Sequence, residues 1–231
     1  MIKYIRTLFF ILVFAPLPLQ AFYWSPHIGI DWKYWGAEPK NKQWEYYKDT
    51  WPDISNALSF YAGSRVNGFF GFDLGYEQST TKEKPHLFDG TQTFLTSIPA
   101  PAGDSSKVEV RLKAWYANFN FYWEMVRNLE LIGMVGLSNL KPDTHIFYVN
   151  AGQATEISQK TPSKASARLG LGMQYNPWWF LGLKAMVIFD QISRLNYEGH
   201  DVNNNFFSIK PYKNATSFHL GFVFSYSPPR R

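Results

Sequence analysis

The sequence predicts an all-β protein, an eight-stranded antiparallel up-and-down transmembrane β-barrel. Three observations carry that prediction. The chain opens with an export signal, it alternates bulky apolar residues with small or polar ones in eight separate stretches, and its connectors are short and long by turns.

The export signal is "MIKYIRTLFFILVFAPLPLQAF". Lys3 and Arg6 stand before an uncharged run from Leu8 to Leu19, and Leu19-Gln20-Ala21 supplies a small-residue cleavage site. The run is too short for an ordinary spanning helix. Residues 1–21 therefore read as a signal peptide, 22–226 as a barrel domain and 227–231 as a short tail. No later stretch could span as a helix, and mean hydropathy is −0.27. Yet 19% of residues are aromatic, with nine Trp, 14 Tyr and 20 Phe. A soluble core of this size needs far fewer. The chain has no cysteine, and an oxidising compartment permits disulfides without requiring them. Removing the signal takes away two basic residues and leaves 21 basic against 18 acidic. That mild balance, without a basic cluster, argues against nucleic acid. No metal-ligand spacing and no phosphate-binding loop occurs, so no cofactor is implied.

The first alternating stretch, 24–36, puts His27, Asp31 and Lys33 on one face. The second, 57–66, carries Arg65 on that parity and ends at Asn67-Gly68, a two-residue turn signal. The third, 69–80, adds Asp73 and Glu77. The fourth, 108–123, sets Trp115, Ala117, Phe119, Phe121 and Trp123 against Tyr116, Asn118, Asn120 and Tyr122. Eight residues separate the two tryptophans, roughly 20 Å along a tilted strand, so Trp115 and Trp123 mark the two interfaces of a hydrocarbon layer. Glu109, Arg111 and Lys113 extend the outward parity above Trp115, which reads first as a solvated strand extension and alternatively as a headgroup-level row whose basic groups could meet lipid phosphates. The fifth stretch, 129–140, follows the short connector 124–128 and holds Glu130. The sixth, 165–175, holds Arg168 and stops at Asn176-Pro177, and the seventh, 178–192, holds Lys184 and Asp190. The eighth, 216–226, alternates Phe218, Leu220, Phe222, Phe224 and Tyr226 with Ser217, His219, Gly221, Val223 and Ser225.

The remaining connectors, 37–56, 81–107, 141–164 and 193–215, are long and polar. They alternate strictly with the short ones, as in an up-and-down barrel with all its long loops at one end. A sandwich has no reason for that rhythm. On this parity the lumen receives His27, Asp31, Lys33, Arg65, Asp73, Glu77, Glu130, Arg168, Lys184, Asp190 and His219, four firm cations against five anions. An eight-stranded barrel is only wide enough for its own side chains. Arg65, Arg168 and Lys184 are accordingly expected to meet acids drawn from Asp73, Glu77, Glu130 and Asp190, leaving a plugged interior. The loop stretches "NKQWEYYKDTW" and "THIFYV" read as solvated by default.

Several segments together resemble the OmpA/OmpX-like outer-membrane barrels. "YAGSRVNGFFGFDLGYEQS" resembles their second hairpin, and "ANFNFYW…NLELIGMVGLS" their central one. The ending "HLGFVFSY" is similar to the C-terminal signal read by the barrel-assembly machinery, with His219, Gly221, Phe224 and Tyr226 in the signal positions. The resemblance implies a Gram-negative outer-membrane location, both mature termini in the periplasm, contact with lipopolysaccharide, and outer loops free for host or surface ligands. Such barrels commonly end on the terminal aromatic, whereas Ser227–Arg231 follow here. The function implied is non-enzymatic, in envelope integrity or surface adhesion. A narrow channel for small or hydrophobic solutes is the alternative, and a lipid A-modifying enzyme a more distant one. His219 is followed by Leu220-Gly221, without the His-x-Ser arrangement of lipid A deacylases, and "GDSS" at 103–106 reads as a turn.

Phe224→Lys should destabilise the barrel in heat-modifiable gel mobility, by an amount at the lower part of about 2–4 kcal/mol because the residue lies near a strand end. Deleting 227–231 should leave folding unchanged, because its two prolines stop ladder pairing. Normal folding of the lysine variant with loss of folding on deletion is the opposite result.

Overall fold

A computed structural model describes residues 24–42, 45–95, 100–150 and 152–226. The expected signal peptide, 1–21, and tail, 227–231, lie outside the described residues. Eight long strands close one antiparallel ring: β1 (Trp24–Ala37), β2 (Ile54–Val66), β3 (Phe70–Ser79), β4 (Ser105–Val126), β5 (Leu129–Asn150), β6 (Lys164–Trp178), β7 (Leu181–Asp190) and β8 (Ala215–Ser225). Each pairs with its neighbours in sequence, and β8 closes on β1 from His27↔Ser225 to Gly36↔Thr216. Closure removes the exposed sheet edge, which no strand could tolerate in lipid.

Three tight connections lie at one end of the ring. Asn67 and Gly68 turn with positive φ (50° and 82°), and Asn128 does so at 67° after a bulge between Glu124 and Val126. The third connection departs from the sequence reading. Asn176-Pro177 stays within β6, accommodated by an irregular register between Tyr175 and Trp178, and the chain turns instead at Trp179-Phe180.

The outer wall is apolar. Ile28, Phe60, Leu74, Phe119, Leu137, Leu171 and Phe222 are all exposed. A continuous belt of such side chains around a ring of strands is the surface that hydrocarbon covers, so the barrel is a transmembrane one. Trp115 and Trp123 both point outward, at 67% and 54% exposure. Trp115 packs on Tyr76 at 5.0 Å, and Trp123 stacks on Phe121 at 6.2 Å.

The long connectors are not solvated loops. β4 and β5 run 22 residues each, well beyond the membrane, and remain paired up to Ser105↔Val149. Short strands Lys82–Leu87 and Gln153–Glu156 flank them, giving a four-stranded wall above the barrel. A small three-stranded sheet of Gln159–Lys160, Tyr197–His200 and Phe206–Ile209 stands beside it. Between these lies an apolar core with contributions from all four connectors: Tyr47 and Trp51, then Phe88 and Phe94, then Ile146 and Ile157, then Ile192, Tyr197 and Tyr212. The rings of Tyr197 and Tyr212 meet Trp51 at 4.7 and 6.1 Å. Tyr212 donates to the Pro52 carbonyl at 3.0 Å, and Tyr148 to Asp104 Oδ2 at 2.6 Å.

The physical reason is an inversion of polarity along β4 without any break in its alternation. Below Trp115 the outward residues are apolar and the inward ones polar. Above it, Lys107, Glu109, Arg111 and Lys113 point outward, while Val108, Val110, Leu112 and Ala114 are buried inward. The two halves obey opposite solvents, lipid outside the lower half and water outside the upper. On the wet face charges pair along the ladder, Lys107 with Glu83 and Glu109 at 2.7 Å and His145 with Glu156 at 2.8 Å. The Glu156 carboxylate raises the pKa of His145.

Trp51→Ala should cost the cap about 3–5 kcal/mol by leaving a ring-sized void. Limited proteolysis should then cut within the long connectors while the membrane-embedded ring keeps its heat-modifiable mobility. Unchanged protease resistance would contradict the packed cap.

Candidate functional site

The lumen is the only place in the described ring where charged groups converge away from water. Its side chains form four tiers from the turn end towards the cap.

In the lowest tier Arg65 makes a two-pronged bond to Glu130, Nη1 to Oε2 at 2.8 Å and Nη2 to Oε1 at 2.6 Å. Asn176 donates to the same carboxylate at 3.1 Å. The turn places Arg65 there, since its Nε also donates to the Gly68 carbonyl. In the next tier Asp73 accepts from Asn120 at 2.7 Å and lies 2.7 Å from His27 Nε2. The third holds Lys184, 2.8 Å from Asp31 and bonded to the Tyr61 hydroxyl at 2.5 Å. Here the structure corrects the sequence reading: the partner of Lys184 is Asp31, not one of the four acids expected. Parity names the face, whereas the stagger between strands chooses the partner.

The top tier is a closed tetrad. Lys33 lies 3.1 Å from Glu77 and 2.9 Å from Asp190, and Arg168 lies 3.2 Å from Glu77 and 2.9 Å from Asp190. The last of these is an ionic contact without hydrogen-bond alignment. All four side chains are at most 1% exposed. Two cations and two anions alternate around a ring, so each charge touches two of opposite sign.

Each cation also faces an aromatic ring. Lys33 lies 3.5 Å from the centre of Trp35, Lys184 3.9 Å from Tyr61, Arg65 4.1 Å from Tyr122 and Arg168 4.5 Å from Tyr116. Two of these tyrosines have room because they cross glycines. A Cβ on Gly29 would stand 2.1 Å from Tyr61, and one on Gly75 2.3 Å from Tyr116. Gly221, within the C-terminal signal, faces Asp31, whose Oδ1 would be 2.0 Å from an added Cβ. Phe224 and Tyr226 face outward and His219 is buried inside.

Apolar side chains fill the rest. Ile132, Met134, Met186 and Ile188 cluster with Tyr122 inside the barrel. The even positions of β5 and β7 carry that signal in the sequence, as apolar residues on the inward parity. Sequence reasoning also missed Ser217, whose Oγ lies 3.2 Å from His219 Nε2, with His219 Nδ1 3.7 Å from Asp31. A serine and a histidine base are therefore adjacent. Both are buried, at 1% and 2% exposure, and Ser217 also donates to the Ile188 carbonyl at 3.1 Å. The 3.7 Å separation is too long for the hydrogen bond that would orient a catalytic imidazole.

A cavity of about 680 Å³ opens at the turn end, floored by Arg65, Glu130 and Gln174. Above it a small void touches His27, Tyr61, Asp73 and Lys184. Among the described residues no cluster is set to hold a metal ion.

Solved structures share this architecture. A major outer membrane protein from Thermus thermophilus superposes with a TM-score of 0.50 at 12% identity, over 88% of this chain and 99% of that one. The Neisserial surface protein A gives 0.49 at 12% identity, over 88% and 97%. Ail, the attachment invasion locus protein of Yersinia pestis, gives 0.48 at 13%, over 87% and 98%. No family model and no curated protein matches the chain. At these identities the likeness is one of fold. The chain thus has the fold of the small outer-membrane β-barrels, in keeping with the OmpA/OmpX-like resemblance of its hairpins.

Glu77→Gln should cost about 3–5 kcal/mol in detergent unfolding, since it leaves two buried cations facing one carboxylate. Adding Arg168→Met should recover part of that loss, so that the double variant is less destabilised than the two single ones summed. Additive losses would show that the tetrad does not act as a unit.

Proposed function

We propose that the protein is a non-enzymatic barrel of the Gram-negative outer membrane, with its turn end and both mature termini in the periplasm and its cap at the cell surface. It serves envelope integrity and surface interaction. The observation that supports this most is double closure: the salt-bridged tetrad blocks the lumen, and the apolar core of the cap lies over it. A pore needs a continuous wet path, and the cavity at the turn end stops below Lys184 and Tyr61.

The same closure argues against catalysis at Ser217 and His219, because both side chains are buried inside the wall. A rigid cap also alters how the outer face meets a ligand. Four connectors that share a core present one fixed surface, which loses little conformational entropy when a host or surface molecule binds. During biogenesis the barrel-assembly machinery is the expected partner of the strand end that carries His219, Gly221, Phe224 and Tyr226.

Protein refolded into planar bilayers should pass no discrete currents, and it should leave lipid A chemically unchanged on prolonged incubation. Stable open-channel events would favour the narrow-channel reading, and a shifted lipid A mass an enzymatic one. Cell-surface biotinylation should label lysines of the cap in intact cells.

A further inference from the structure

The cavity of about 680 Å³ at the turn end is open, and the charges at its mouth are not all engaged. Glu124 and Glu130 both line it, and they face each other across the β4–β5 ladder. Like charges in facing positions normally weaken a ladder. Glu130 is answered, for Arg65 holds both of its oxygens. Glu124 is exposed and, among the described residues, makes no ion pair. Arg127 lines the same mouth, yet no ion pair joins it to Glu124 among the described residues.

On the far side of that mouth the backbone of β8 is fixed at the cavity rim. The β4–β5 hairpin lies half-way round the ring from the seam of β8 and β1. At that seam Ser225 donates its N–H to the Phe180 carbonyl, and Tyr226 donates to that of Pro26, both at 2.9 Å. The Ser25 hydroxyl donates to the Tyr226 carbonyl at 3.1 Å. Ser25 and Ser225 themselves line the cavity. The residue after Tyr226 therefore starts at the cavity wall, and the alternation of β8 sets it on the inward parity. Pro228 and Pro229 then stop ladder pairing and favour an extended course, and two arginines follow.

We propose that Ser227–Arg231 cross the mouth as a strap and bring the Arg230-Arg231 pair to Glu124. A ring of eight tilted strands is about 16 Å across. Four residues in a polyproline course span about 12 Å, and an arginine side chain covers the remainder. An exposed ion pair is weak by itself. A tether of a few residues offsets that weakness, because it holds the arginines near the carboxylate at millimolar effective concentration. The strap also places positive charge beside the one glutamate of the facing pair that lacks it. This assignment concerns the turn end alone and holds whichever way the barrel faces in the membrane.

The chain has no cysteine, so a single Gln174→Cys inside the cavity reports access by its rate of reaction with a water-soluble maleimide. Ser225→Cys serves as a second reporter on the cavity wall. The protein is full-length, refolded in detergent, with nothing added after Arg231. Deleting 227–231 should speed the reaction at least about tenfold, as for a mouth open no more than one-tenth of the time when strapped. Arg230→Glu/Arg231→Glu should speed it equally, and adding Glu124→Arg to that variant should restore the slow rate. Heat-modifiable mobility should show every variant folded, which separates loss of the strap from loss of the barrel. Equal rates with and without Ser227–Arg231 overturn the proposal. Fast labelling after deletion but not after reversal of the arginines overturns the contact with Glu124, as does failure of the charge swap to restore protection.

Discussion

A charged side chain sealed in a narrow barrel gives up several kcal/mol of hydration, which Lys33, Arg168 and Lys184 each recover from two sources, and Arg65, partly exposed beside the turn-end cavity, makes the same two kinds of contact. A carboxylate meets the charge head-on, and an aromatic ring covers its flank. Much else inside the wall follows from that requirement. Tyr61 and Tyr116 must lie flat to reach their cations, and Gly29 and Gly75 provide the room. Asp31 must stand close to the wall to meet Lys184, and Gly221 lets it. The residues that look permissive in the sequence are thus the ones fixed most tightly by the charges opposite them.

The membrane-embedded ring was legible because it rests on the simplest regularity a strand has. Side chains alternate, lipid demands apolar groups outside, and a narrow lumen demands filled space inside, so one reading of parity placed His27, Asp73 and Arg168 on the same side of the wall. What parity does not contain is the offset between strands. That offset matches Lys184 with Asp31, and it brings Ser217 beside His219. The turn at Trp179-Phe180 was missed for a related reason. Asn176-Pro177 has turn chemistry, but Asn176 is held inside by Glu130 and Gln174, and the strand bulges to keep it there.

The cap was hidden differently. Trp51, Phe88, Ile146 and Tyr212 sit in four polar connectors far apart in sequence, and none of those connectors is apolar enough to announce a core. They become a core only when the barrel has gathered its long loops at one end. The stretch Val108, Val110 and Leu112 did carry a local signal. The outward parity of Glu109, Arg111 and Lys113 already turns these three apolar residues inward, but what they pack against comes from connectors distant in sequence. Cap and lumen also share a boundary, for Trp35 belongs to the apolar core above while its ring covers Lys33 of the tetrad below.

Ala114 and Trp115 mark the point where β4 exchanges one pair of solvents for another. Because the side-chain period is two, sliding this strand by a single residue against β3 and β5 would turn Val108, Val110 and Leu112 to water and Asn118 and Asn120 to lipid in one step. Two unrelated penalties, one aqueous and one oily, therefore oppose the same slip. A strand governed by only one of them would be held less firmly. The hairpin consequently works as a depth gauge, setting the height at which the barrel rides in its bilayer to within one rung of the ladder.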